Sequence, residues 1–139
     1  VGRFVTQVPL RWTDQDAYRH LNHARAVTLL EEARIDLLFD AASDSGVGGF
    51  ATGLLVVELG VRYRRQVVYR PEPLLVEMWV DQVRAASFRI SYALHDGPSE
   101  ADPVAIEATT GMALFDLAAR RPRRIGGDER AFLAKWGDE

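Results

Sequence analysis

At 139 residues the chain is long enough for one hydrophobic core and short for two ordinary domains. Hydrophobic residues make up 47% and charged residues 27%, the balance of a globular protein, and a net charge of −3 gives no general attraction to nucleic acid or to an anionic membrane. The absence of cysteine excludes disulfides, a thiol nucleophile and thiolate-bound zinc; with no apolar run of membrane-spanning length and no signal-peptide pattern at the start, a cytoplasmic location is expected.

Phe4, Thr6, Val8 and Leu10 alternate with Arg3, Val5, Gln7 and Pro9, which predicts an opening strand at a sheet edge or ending near Pro9. The segment from Arg11 to His23 then crowds Asp14, Asp16, His20, Asn22 and His23 into one loop. Asn22 is a candidate N-cap, and no Gly or Pro follows it until after Asp40. Val27, Leu30, Arg34, Leu37 and Leu38 recur at helical spacing, widened by Leu29 and Ala33, so a helix of about five turns is predicted.

Ser43 to Gly53, with four glycines, reads as a flexible connection. Four strand patterns follow. Leu55, Val57, Leu59, Val61 and Tyr63 alternate with their neighbours; Leu74 to Val83 is a Val-rich run containing Trp79; Phe88, Ile90, Tyr92 and Leu94 alternate with polar residues. Val104 to Phe115 is the longest, with Ile106, Ala108, Thr110, Met112 and Leu114 on one face. Short links around Pro71 and Ala85 imply antiparallel neighbours. A last helix is predicted from about Asp128 to Trp136, with Asp128 as its cap and Phe132, Leu133 and Trp136 to dock. The fold class is α+β: a five-stranded antiparallel sheet curled around one long central helix, with a short C-terminal helix, in a single domain over residues 1–139.

A helix start offers unpaired N–H donors and the positive end of a dipole, which suits it to hold a developing oxyanion. On residue type alone Asp14 and Asp16 are equal candidates to work beside those donors, and either also fits a solvated loop acid or a cap. His20 and His23 can share a helix face, but a metal would need further ligands, and none is expected. Glu31 can pair with Arg34 three residues on. Arg62, Arg64 and Arg65 gather near one strand end, while Arg120, Arg121, Arg123 and Arg124 surround Pro122. Each cluster fits either a solvated edge or a phosphate-binding set. Gly46-Val47-Gly48-Gly49 is no phosphate loop, and no Gly-x-Ser-x-Gly elbow exists for serine hydrolase chemistry.

The element order, with Asp16-Ala17-Tyr18-Arg19-His20-Leu21-Asn22-His23 before the helix and Glu31-Glu32-Ala33-Arg34 inside it, resembles the hotdog-fold acyl-CoA thioesterases. The nearest type is that of 4-hydroxybenzoyl-CoA thioesterase, and the resemblance runs from about Phe4 to Leu117. It implies hydrolysis of an acyl-CoA or acyl-carrier thioester, with Asp16 as nucleophile or general base and the amide of His23 polarising the carbonyl. His20 and Asn22 fall on motif positions near the reaction centre, which makes Asp16, His20, Asn22 and His23 the candidate catalytic set. Arg19, Glu32, Arg62, Tyr63 and Arg64 are the candidate substrate-binding residues. No cofactor and no metal is implied. The partners implied are an acyl-CoA substrate and further copies of the chain, in a homodimer or homotetramer with sites between subunits. The exposed sheet face, Trp79 and Tyr92 among its members, is expected to supply contacts. The chain departs from the pattern in carrying Arg19 for a usual Gly and His23 for a usual Asn. The alternatives are a hotdog enoyl-thioester hydratase or dehydratase, against which the Asp16–His20 spacing counts, and a noncatalytic acyl-CoA-binding module.

Overall fold

The structure is a computed structural model that describes residues 2–137. In chain order its elements are β1 (Phe4–Val8), α1 (His23–Ile35), α2 (Ala42–Asp44), β2 (Leu54–Tyr63), β3 (Leu74–Asp81), β4 (Ser87–His95), β5 (Val104–Asp116), β6 (Arg121–Pro122) and α3 (Gly127–Lys135). The sheet is antiparallel throughout, in the order β1-β3-β4-β5-β2, with two-residue β6 folded back on β5. It curls around the long helix as the sequence predicts. β6 is too short to show a periodicity and was legible only as an arginine-rich turn.

The helix is longer than its predicted end at Asp40. α1 passes without a break through a π-helical segment, Asp36–Ala41, into α2. Gly46 ends it: at φ +81 its N–H bonds the Ser43 carbonyl, and Val47 N–H closes onto Ala42. The connection beyond is packed rather than flexible. A 3-10 turn at Gly49–Thr52 sinks Phe50 into the core, with ring centroids 6.0 Å from Phe88 and 6.2 Å from Phe132. Burying an aromatic ring of that size orders the glycines around it.

The helix buries Ala26, Leu29, Leu30, Ala33, Leu37 and Leu38 against the concave face of the sheet. The two alanines let the backbone approach closely. That face is built by period-two alternation: Val76, Met78 and Val80 on β3, Phe88, Ile90, Tyr92 and Leu94 on β4, Ile106, Ala108, Thr110, Met112 and Leu114 on β5. Each fully buried Leu or Met there contributes about 1.5–3 kcal/mol.

Two expectations need correcting. Tyr92 is not on the outer face: register sets it opposite Met78 and Ala108, pointing inward, where its hydroxyl bonds Thr110 Oγ1 at 2.7 Å and accepts from Arg34 at 3.3 Å. Trp79 does face outward, with the Arg3 guanidinium 3.8 Å above its ring. The cap of α3 is Gly126 rather than Asp128, because the Glu129 carboxylate reaches back to the Gly126 N–H at 2.7 Å. That acid is buried, and Arg123 meets it with a two-pronged bond at 2.8 and 2.6 Å.

β2 is the second edge of the sheet. Along its free side Leu55, Val56, Val57 and Leu59 are 42–64% exposed, and a bulge between Val56 and Glu58 interrupts its pairing with β5. No helix among the described residues is long and apolar enough to cross a membrane.

Candidate active site

The loop between β1 and α1 folds as a tight hairpin. Asp16 and His20 close it, with Asp16 N–H to the His20 carbonyl at 2.7 Å and Arg19 N–H to the Asp16 carbonyl at 3.1 Å. This is a turn followed by one residue in the left-handed region, a geometry that three-residue hairpins favour. Arg19 is that residue, at φ +65. A glycine adopts this conformation without penalty, and the chain holds it with an arginine at a cost of about 1 kcal/mol. Arg19→Gly is expected to leave stability unchanged or raise it by up to about 1 kcal/mol, the released strain being partly offset by the larger entropy of the unfolded glycine chain. Urea denaturation of the two proteins checks this.

The turn aims two backbone donors at one carboxylate oxygen. Asp16 Oδ1 accepts from Tyr18 N–H at 2.8 Å and His20 N–H at 3.0 Å, while no hydrogen bond among the described residues reaches Oδ2. The His20 amide foremost, then the Tyr18 amide and the His20 side chain, hold the Asp16 carboxyl below the usual carboxylate range, against a smaller opposing effect of desolvation. The acid is therefore ionised at neutral pH, with one oxygen anchored and the other open. Asp14, its equal in sequence, is committed elsewhere. It is 1% exposed, accepts from the Arg11 N–H at 2.9 Å and pairs with the Arg11 guanidinium at 3.1 Å.

Asn22 caps α1 through Oδ1, which takes the Ala24 and Arg25 amides at 2.8 and 3.2 Å, and Ala26 N–H returns to the Asn22 carbonyl. Among these first-turn amides only that of His23 has no hydrogen-bond partner among the described residues, as the start of a helix requires of some donor. Tyr63 at the end of β2 ties down the same residue, its hydroxyl donating to the His23 carbonyl at 2.8 Å. Burial raises the Tyr63 phenol pKa, so it stays protonated as that donor.

These groups share one cleft of about 420 Å³, lined by Asp16, Leu21, His23, Tyr63, Arg64, Arg65, Gln66, Val67 and Ile106. Of the sequence candidates it brings together Asp16, His23, Tyr63 and Arg64. His20 and Asn22 stand behind it, acting through a backbone amide and a cap. Arg19 is exposed on the hairpin, and Glu32, half-buried on α1, lies outside the cleft lining. Arg62 points to the other side of the sheet, into a depression of about 620 Å³ that also takes in Trp79 and Ser91. That larger hollow lacks the anchored Asp16 carboxylate and the open helix amide. Arg65, from the arginine cluster read in the sequence, also lines the Asp16 cleft, whereas Gln66 and Val67 were not singled out from sequence. The signal was adjacency, since the Leu21 N–H bonds the Val67 carbonyl at 2.7 Å and His20 bridges to Val68. Arg64 is paired with Glu107 at 2.6 Å and Arg65 with Asp96 at 3.3 Å. Among the described residues no three His, Asp or Glu side chains converge to hold a metal.

The fold is thus an antiparallel sheet wrapped on a helix, with Asp16 and the helix-start residue His23 lining one cleft. The family model of the thioesterase-like superfamily matches residues 10–134, and the chain belongs to that superfamily. It is 27% identical over 128 residues to the long-chain acyl-CoA thioesterase FadM of Escherichia coli strain K12, covering 92% of this chain and 95% of that protein. Among solved structures it is similar to a 1,4-dihydroxy-2-naphthoyl-CoA thioesterase from Synechocystis (15% identity, TM-score 0.78, 96% of both chains). It is also similar to a thioesterase from Thermus thermophilus complexed with coenzyme A and zinc (18% identity, TM-score 0.73, 95% of this chain and 92% of that one).

Proposed function

We propose that this chain hydrolyses acyl-CoA thioesters to the free acid and coenzyme A, with Asp16 as nucleophile or general base and the His23 amide as oxyanion donor. The observation that carries this is the Asp16 carboxylate, anchored through Oδ1 with Oδ2 unbonded, on a residue that lines one cleft together with His23, whose N–H has no partner among the described residues. As base, Oδ2 takes a proton from water whose oxygen attacks the carbonyl carbon; as nucleophile, Oδ2 attacks directly and water later opens the mixed anhydride. Either way negative charge develops on the carbonyl oxygen beside the His23 amide, a placement worth about 3–4 kcal/mol. Collapse expels the thiolate, which takes a proton.

The likeness to FadM supports an acyl-CoA substrate. A cleft of about 230 Å³ between the helix and β2, lined by Ile35, Leu38, Phe39, Leu54, Val56 and Met112 together with Glu31 and Arg34, supports a fatty acyl group on its apolar side chains. Release of free thiol over a ladder of acyl-CoA chain lengths tests the reading; no release from any of them overturns it.

The working unit in this proposal is a dimer joined through β2. A ten-residue edge strand with apolar side chains exposed on both faces is a pairing surface that a monomer would blunt with charge or cover. A two-fold that keeps both helices on one side of a continuous sheet runs the two copies of β2 antiparallel. Val57→Lys combined with Leu59→Lys is expected to give a folded monomer with activity reduced at least tenfold. Light scattering and thiol release check it together.

A further inference from the structure

We propose that Arg120 and Arg121, on the turn between β5 and β6, bind the phosphates of the acyl-CoA held in the Asp16 cleft of the opposite protomer. The inference rests on the acyl-CoA hydrolase dimer just described and assigns the part of the substrate furthest from the chemistry.

Charge pairing comes first. Coenzyme A carries a diphosphate and a phosphomonoester, and the chain as a whole is acidic at −3, so local arginines must hold them. Within one protomer the two arginines lining the cleft are already matched, Arg64 by Glu107 and Arg65 by Asp96. In the second cluster Arg123 is consumed by Glu129 and by the Gly49 carbonyl at 2.9 Å. Arg120 and Arg121 are exposed and have no carboxylate within ion-pair distance among the described residues. Asp116, across the hairpin from Arg121, spends Oδ1 on the Ala119 amide.

Position comes second. β2 and β5 run antiparallel, so Asp16 sits beside the Tyr63 end of β2 while the β5–β6 turn sits beside its Leu54 end. Within one chain the turn and the acid are at opposite ends of the sheet. Antiparallel pairing of β2 with its copy exchanges those ends: Leu54 of one protomer comes opposite the partner's Tyr63. The Leu117 and Phe115 amides fasten the turn to the Thr52 and Gly53 carbonyls, just beyond Leu54. It therefore projects past the partner's Tyr63, over the wall of the partner's cleft. β5 then runs about 10 Å from the partner's β2, two strand spacings away. The backbone supports the assignment, since Arg120 is held at φ +59, a conformation most side chains avoid and one that recurs at ligand clamps.

The test is the double variant Arg120→Asn, Arg121→Ser; Asn tolerates the left-handed backbone, so the turn should persist. Octanoyl-, dodecanoyl- and benzoyl-CoA are compared with the matching N-acetylcysteamine thioesters, which lack the nucleotide. Expected is a KM for the CoA substrates raised about tenfold or more with kcat within twofold, and unchanged kcat/KM on the truncated thioesters. A differently tagged mixed dimer, one chain carrying Asp16→Asn and the other the double arginine variant, decides which subunit acts. Its one live site keeps wild-type KM if the arginines act across the interface, and the raised KM overturns that. Unchanged KM for all CoA substrates in the double variant also overturns the proposal while leaving the hydrolase reading intact. A wild-type protein inactive on every thioester, truncated ones included, overturns the hydrolase reading itself.

Discussion

Asp16→Asn is expected to lower kcat for thioester hydrolysis by about 10³-fold with little change in KM, the scale on which a positioned base or nucleophile acts. The substitution keeps an oxygen for the Tyr18 and His20 amides to hold, so the hairpin should survive. What disappears is the open anionic oxygen. Wild-type rate in a folded Asp16→Asn protein would remove the catalytic assignment. The pH profile adds a second readout. Because backbone donors depress the Asp16 carboxyl, the active, ionised form persists as pH falls through the ordinary carboxylate range, and activity is lost only below it. Isotope transfer separates the two roles of the acid: a single turnover in ¹⁸O-water labels Asp16 only if it is the nucleophile, since reopening the anhydride can leave solvent oxygen on either carboxyl group.

The largest stability effect is expected at Arg123. Glu129 is 2% exposed and accepts three bonds, two from Arg123 and one from the Gly126 amide. Arg123→Met leaves a buried carboxylate with a single donor and should cost about 3 kcal/mol, whereas Arg123→Met with Glu129→Gln should recover much of that loss. The Arg123 partner first, then the Gly126 amide, hold the Glu129 carboxyl below its usual range. A depressed carboxyl contributes stability that is complete above its unfolded value and is lost as pH falls through the folded one. Wild-type stability should therefore drop on acidification below about pH 4 and the double variant's less steeply, which urea titrations at several pH values will show. The same pair fixes the Gly49–Thr52 turn through the Gly49 carbonyl, and a side chain at Gly49 would collide with the Glu129 carboxylate.

Much of the site was legible because it is local. Asp16, the turn, Arg19 in a glycine's place, Asn22 as a cap and His23 at the helix start lie within eight residues, and their geometry is set by backbone bonds between near neighbours. Two of the errors have different causes. Tyr92 alternates in step with Phe88, Ile90 and Leu94, so the pattern itself already placed it with the core. The flexible reading of Ser43–Gly53 followed from four glycines, while the packing of Phe50 against Phe88 and Phe132 depends on residues 38 and 82 positions away.

By itself the sequence determined the order of elements, the inward face of β5 and the segment that carries the acid, since periodicity, capping and turn chemistry act between residues a few positions apart. Only the tertiary structure decided which of two aspartates stays open, which arginines are already neutralised and which edge is left bare. Those outcomes turn on burial and ion pairing between distant segments: Arg65 meets Asp96, Arg64 meets Glu107, and β2 pairs with β5 on one side alone. Charge partners across a sheet leave no mark on the spacing of residues along a strand.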